Sequence, residues 1–321
     1  MQAIYALLYS GFYPGFRPSS VLPSLGASMV DKCGLQRCFR ESAMAVITMT
    51  REMATLGKDV AAGLAERLGL TVIHHEIVER DIAERAGMRE SEVHRFLEGK
   101  TSLLERWKVD KKRLSRYTAQ EILELAAQGN VLIRGWGASY LLRSVPHVVC
   151  VRICAPMPFR ENVLMQRLGI DDAAVARREI ERNDAAHYGT MWKLFGGDWR
   201  DAVLYAIVLN TARVPIQHCV DQIAQLTEHR AFAETDRSRG ALMDELILSR
   251  VREALEQRFG SGVTTIAGID ARVSAGRVTL TGGASDERVI VEAVRLTHTV
   301  AGVTGVECRI AHVAFRLPDD A

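Results

Sequence analysis

A hydrophobic strand that turns through a short loop into a helix admits few architectures, and residues 45–69 have that form. Ala45-Val-Ile-Thr48 reads as a buried strand, Met49 to Gly57 as a tight loop, and the helix opens near Lys58. A loop ending in Gly-Lys at a helix mouth suits anions. Backbone N–H groups point outward there, the helix dipole favours negative charge, and the lysine adds a point charge. The full phosphate-loop pattern, G-x-x-x-x-G-K-[ST], is not met. Glu52 takes the place of the first glycine and Asp59 that of the metal-binding hydroxyl. From these residues alone, phosphate binding and an ordinary strand-to-helix turn both stay open.

The pattern continues as it starts. Thr71 to His74, Val131 to Ile133, His147 to Ile153 and Ala202 to Leu209 are apolar runs rich in β-branched residues. Helical stretches alternate with them, among them Tyr117–Gln128 and Ile216–Leu226. Such alternation predicts a parallel sheet covered by helices on both faces, an α/β fold over residues 44–230. Ligands of such sheets lie beyond the carboxyl ends of the strands. That edge gathers the loop 49–58, the turn 134–139 and the segment after residue 153.

Residues 231–240 are polar and read as a linker. Beyond them a helix, two strands hinged at Gly276, a second helix and a last strand give the order αββαβ over 241–314, with 315–321 a tail. Residues 1–43 hold Pro14, Pro18 and Pro23 without clean periodicity, and read as a disordered or mis-started leader. Their apolar opening is too short to span a bilayer.

Charge narrows the partners. A net charge of +2 over 321 residues argues against a nucleic-acid binder that depends on a strong positive field. The six cysteines lack paired C-x-x-C spacing, which fits reduced thiols in a cytoplasmic protein. Arg106 to Arg116 carries six positive charges against one negative, a polyanion site or a solvated helix face. Arg178 and Arg182 are four apart on a helix with Asp184 near, so their heads can converge over a transferred phosphoryl group or form surface ion pairs with Glu179 and Glu181.

Two resemblances gather these features. Residues 45–226 resemble the cytidylate kinase-like branch of the P-loop nucleoside monophosphate kinases. The resemblance is carried by Thr50 to Ala61, Gly135-Trp-Gly-Ala138, Ile180-Glu-Arg-Asn-Asp184, Gly197-Asp-Trp199 and Leu204 to Thr211. It implies phosphoryl transfer from ATP to a nucleotide such as CMP, with Mg²⁺. Carried over position by position, Arg51, Thr55, Leu56, Gly57, Lys58 and Asp59 would hold the donor nucleotide, and Thr55 or Asp59 the metal. His74, Gly135, Trp136, Gly137 and His187 would meet the acceptor. Lys58, Arg178, Arg182 and Asp184 would serve catalysis. The chain departs from the family at Ala54 and Leu56, where relatives have glycine, and at Trp136 and His187, where they have arginine. A kinase fold that binds nucleotide without transfer, and signals through the last domain, is the other function implied. Residues 241–314 resemble a BON domain, through Gly276 to Gly282 and Val300 to Val306. That family is associated with phospholipid surfaces and other hydrophobic or small ligands. Here the segment holds 8 Arg, no Lys and 9 acids, a charge unsuited to anionic lipid. The unit is therefore read as a generic ligand or interaction module, and a membrane-associated scaffold acting through it is a third class of function.

Overall fold

The computed structural model describes residues 45–74, 80, 82–84, 87–97, 111–135, 137–260 and 268–313. The expected leader and tail and Trp136 lie outside them.

The first domain contains β1 (Val46–Arg51), α1 (Gly57–Leu68), β2 (Thr71–Ile73), α2 (Glu90–Leu97), α3 (Lys111–Gln128) and β3 (Val131–Arg134). It continues with α4 (Ala138–Leu142), β4 (Val148–Cys154), α5 (Met157–Leu168), α6 (Ala173–Phe195), β5 (Ile207–Asn210) and α7 (Ile216–Thr227). The five strands are all parallel in the order β2-β3-β1-β4-β5, so β1 is central. Side chains alternate across the sheet, as the period of a strand requires. Val46, Ile133, Val148 and Cys150 face α3 and α4, while Ile47, Met49, Val149 and Val151 face α1 and α7. The two-faced parallel sheet predicted from the sequence is the fold observed.

In the first domain the boundaries of β1 and β5 differ most from the sequence reading. β1 runs on to Arg51, held by pairing with β4 up to Ile153, so the loop spans only residues 52–56. The apolar run from Ala202 becomes strand only at Ile207. Its start is a 3₁₀ turn capped by Asp201, whose carboxylate accepts from the Val203 N–H, and that local bond competes with extension.

The second domain is a three-stranded sheet, β6 (Asp270–Ser274), β7 (Arg277–Ala284) and β8 (Gly305–His312), with α9 (Glu287–His298). β6 and β7 are antiparallel, β7 and β8 parallel. Their hairpin turns on Ala275 and Gly276, both at positive φ, the geometry of a tight two-residue turn. With α8 (Asp236–Phe259) ahead of it, the order is the expected αββαβ.

α8 begins earlier than read. Thr235 and Ser238 form a reciprocal capping box, so most of the supposed linker 231–240 is a 3₁₀ turn and the first turns of a helix. The helix then serves two cores: Leu242 and Leu246 pack with α3 and the sheet, whereas Ile247, Val251 and Leu255 pack with β6, β7 and α9. Arg250 bonds to Glu124 at 3.0 Å, and Arg116 pairs with Glu256. The basic run read from Arg106 to Arg116 thus spends its last arginine on α8; residues 106–110 are outside the described set. Among the described residues no helix is long and apolar enough to cross a membrane, and Cys150, Cys154, Cys219 and Cys308 are free thiols.

Candidate functional site

A cavity of about 250 Å³ opens at the carboxyl edge of the sheet. Thr50 and Arg51 end β1 there, Arg134 and Gly135 end β3, and Lys58 stands on the first turn of α1. The far wall is α6, through Asn183, Ala186, His187, Thr190 and Met191. Those positions recur at three and four residues, one face of a helix. Four basic side chains, Arg51, Lys58, Arg134 and Arg167, line the cavity, and no carboxylate does among the described residues. A concave site with cations of one sign concentrates anions.

The loop 52–56 beside the cavity has an alternating backbone. Ala54 and Leu56 hold φ values of 60° and 56°, in the left-handed region, with ordinary backbone between them. Alternation of this kind turns successive amides toward one centre, forming an anion-binding concavity. The amides of Ala54, Thr55, Leu56 and Gly57 donate to no acceptor among the described residues. The Ala54 methyl does not crowd them: it is buried with Leu164, Ala176 and Ile180. Holding two non-glycine residues in this region costs about 1–2 kcal/mol each. Gly57 lies close against Arg51, where a Cβ would come within 3.0 Å of the arginine side chain.

Hydroxyls tie the neighbouring turn to β1. Ser139 Oγ is 2.8 Å from Thr48 Oγ1 and 3.2 Å from Thr50 Oγ1, and the Gly135 N–H donates to the Met49 carbonyl. Gly137 has φ 72° and faces Phe195, so a Cβ there would meet the ring at 2.5 Å. Gly137→Ala is expected to destabilise the fold by about 1–3 kcal/mol, read from urea denaturation, because it adds both strain and overpacking. A third wall is the segment 199–205. Tyr205 donates to the Trp199 carbonyl. Burial pushes its phenol up to about 12, against a lowering hydrogen bond with Thr50. It is a neutral donor at physiological pH, not a base.

Not all the residues picked from the sequence meet here. Arg51, Lys58, Gly135, Gly137 and His187 line the cavity. Leu56 and Gly57 form the loop and helix mouth beside it. Thr55 is buried beneath the loop, its hydroxyl donating to the Glu52 carbonyl at 2.8 Å. Asp59 is exposed on the first turn of α1, and His74 is exposed after β2; neither lines the cavity. Arg178 and Arg182 are exposed on another face of α6, with Arg182 paired to Glu179. Asp184 accepts two bonds from Arg160 instead of lining the cavity. The sequence reading missed Thr50, Arg134, Tyr140, Arg167, Asn183, Trp199 and Tyr205. Arg134 had a signal, a lone cation closing a buried strand. The phase of α6 had one too, since Ala176, Ile180 and Met191 fix its buried face and leave Arg178 and Arg182 off it.

Residues 46–213, half of the chain, match the model of the cytidylate kinase-like family. The chain belongs to that family. Within the cytidylate kinase-like family, this chain is similar to the cytidylate kinase of Pyrobaculum aerophilum. The two are 24% identical over 179 residues, 55% of this chain and 89% of that one. It is 27% identical to the cytidylate kinase of Methanopyrus kandleri over 163 residues, 48% of this chain and 78% of that one. An uncharacterized protein from Eubacterium ventriosum superposes with a TM-score of 0.47 at 18% identity, covering 58% of this chain and 99% of that structure. Residues 244–313 match the BON domain model.

Proposed function

We propose that this chain transfers the terminal phosphoryl group of ATP to a nucleoside monophosphate such as CMP. The observation that carries the reading is a cavity with four basic side chains and, among the described residues, no carboxylate, beside a loop whose amides donate to no acceptor among those residues. The loop amides and Lys58 hold the β- and γ-phosphates. Arg51, Arg134 and Arg167 neutralise the acceptor phosphate and the charge that spreads over the transferred group. An acceptor phosphate oxygen attacks the γ-phosphorus as its bond to the β–γ bridging oxygen breaks, giving ADP and a nucleoside diphosphate. Met191, Leu204 and Trp199 exclude water, which would otherwise compete as the acceptor. Mg²⁺ would neutralise the polyphosphate, and the exposed carboxylate of Asp59 suits an ion that takes one or two carboxylates with water and phosphate oxygens. The buried Thr55 hydroxyl, already donating to Glu52, suits it less. Among the described residues no cluster of His, Cys, Asp and Glu forms a metal cage. Free thiols accord with a cytoplasmic setting.

The position of Arg178 and Arg182, away from the cavity, favours a second reading: nucleotide binding without transfer, relayed through α8 to the BON domain. The test is incubation of the purified protein with ATP, Mg²⁺ and each nucleoside monophosphate in turn. ADP formed only when an acceptor is present supports transfer. ATP bound without turnover supports the second reading, and no binding of any nucleotide removes both.

A further inference from the structure

We infer that Arg160 is the positioning residue of the phosphate loop, coupling it to the cavity wall and standing in for the glycines the loop lacks. The inference rests on the phosphate-binding reading above. Arg160, on the first turn of α5, is 4% exposed. Its Nε donates to the Met53 carbonyl at 2.7 Å, so it holds the loop's backbone directly. Nη1 and Nη2 each donate to the Asp184 carboxylate on α6 at 2.8 Å, a two-pronged pair. The Glu52 carboxylate lies 3.6 Å away. Glu52 in turn accepts from Arg152 Nη2 at 2.6 Å and from the Ala155 N–H at 3.4 Å, and Arg152 Nη1 donates to the Arg200 carbonyl at 2.6 Å.

Two arginines and two carboxylates thus join the loop, β4, α5, α6 and the segment at residue 200 in a neutral, largely buried network. A backbone strained at Ala54 and Leu56 persists only where its surroundings over-determine it. Glycine would make that geometry easy, and this chain has none between residues 52 and 56. The rigid fork of Arg160 supplies the constraint instead, and through Asp184 it sets the helix that carries Asn183, His187 and Met191. Asp184 therefore acts through Arg160, without touching the transferred group.

The experiment compares wild type, Arg160→Met, Asp184→Asn, and Arg160→Met combined with Ala54→Gly and Leu56→Gly. Two measurements are made on the full chain: hydrogen exchange of the amides at 52–58 and 180–187, and calorimetric binding of inorganic tripolyphosphate. Arg160→Met is expected to speed exchange in both segments and to weaken tripolyphosphate by about 10–100-fold, the scale of one lost hydrogen bond to a charged group. Asp184→Asn, which keeps the shape, is expected to shift both in the same direction by less. The glycine combination is expected to recover most of the binding, which a merely unfolded loop would not do. Unchanged exchange in both segments overturns the inference, as does a glycine combination that binds no better than Arg160→Met. Faster exchange in a protein whose wild type binds no tripolyphosphate supports the coupling and overturns the phosphate-binding reading alone.

Discussion

Lys58→Ala is expected to lower ADP formation by about 100–1,000-fold, the range seen when one preorganised donor is removed from a charged transition state. The reason is position. Lys58 lines the cavity from the first turn of α1, beside the helix's positive end and a loop whose amides at Ala54 to Gly57 donate to no acceptor among the described residues. In the proposed transfer its ammonium would add a full charge where negative charge moves from the γ-phosphoryl group to the leaving diphosphate. That charge is larger at the transition state than in bound ATP, so kcat falls by more than ATP affinity does. Arg182→Ala is the internal control: exposed and paired with Glu179, it is expected to change the rate by less than about threefold, as surface ion pairs contribute little. Steady-state rates of the two variants check both statements. Full activity in Lys58→Ala would displace the proposed site.

Leu246→Ala is expected to destabilise the protein by about 2–5 kcal/mol, and to do so in both domains at once. Leu246 is 3% exposed and packs with Leu242 in the core formed by α3 and the sheet. The next residue, Ile247, is equally buried in the core of the BON domain. One helix therefore closes two cores, and a cavity at Leu246 loosens the element that both require. The Arg250–Glu124 and Arg116–Glu256 pairs fasten the same interface. Urea unfolding followed by circular dichroism and by hydrogen exchange in β7 is expected to shift together in this variant. Separate transitions, with β7 unaffected, would show the two cores to be independent. A chain cut at residue 240, where the sequence invited a boundary, would leave the first core without Leu242 and Leu246. It is expected to aggregate.

The sequence made the architecture legible because strands and helices announce themselves locally. The β-branched runs at 46–49, 131–133 and 148–153 alternate with amphipathic helices, and that pattern leaves little besides a covered parallel sheet. The loop was legible for the same reason: Gly57 and Lys58 follow a buried strand and open a helix. Its left-handed turns were not, since Ala54 and Leu56 are residues that avoid such geometry unless distant groups impose it. The site was legible only in part. Arg51, Lys58 and Gly135 could be placed from the ends of β1 and β3 and the start of α1, but Arg167 on α5 and Trp199 and Tyr205 on the segment 199–205 reach the cavity from elsewhere in the chain.

Residue order by itself determined the succession of elements, the sheet edge where the cavity opens and the presence of a second small domain. Each follows from periodicities of two and 3.6 residues and from turn chemistry, which act over a few positions. Tertiary structure alone decided that Arg160, not a glycine, holds the loop, that Asp184 serves that arginine, and that α8 belongs to both cores. Those outcomes depend on packing between groups far apart along the chain: Arg160 meets Met53 across 107 residues, and Arg250 meets Glu124 across 126. No local pattern encodes such distances. Only burial of the shared faces brings the groups together.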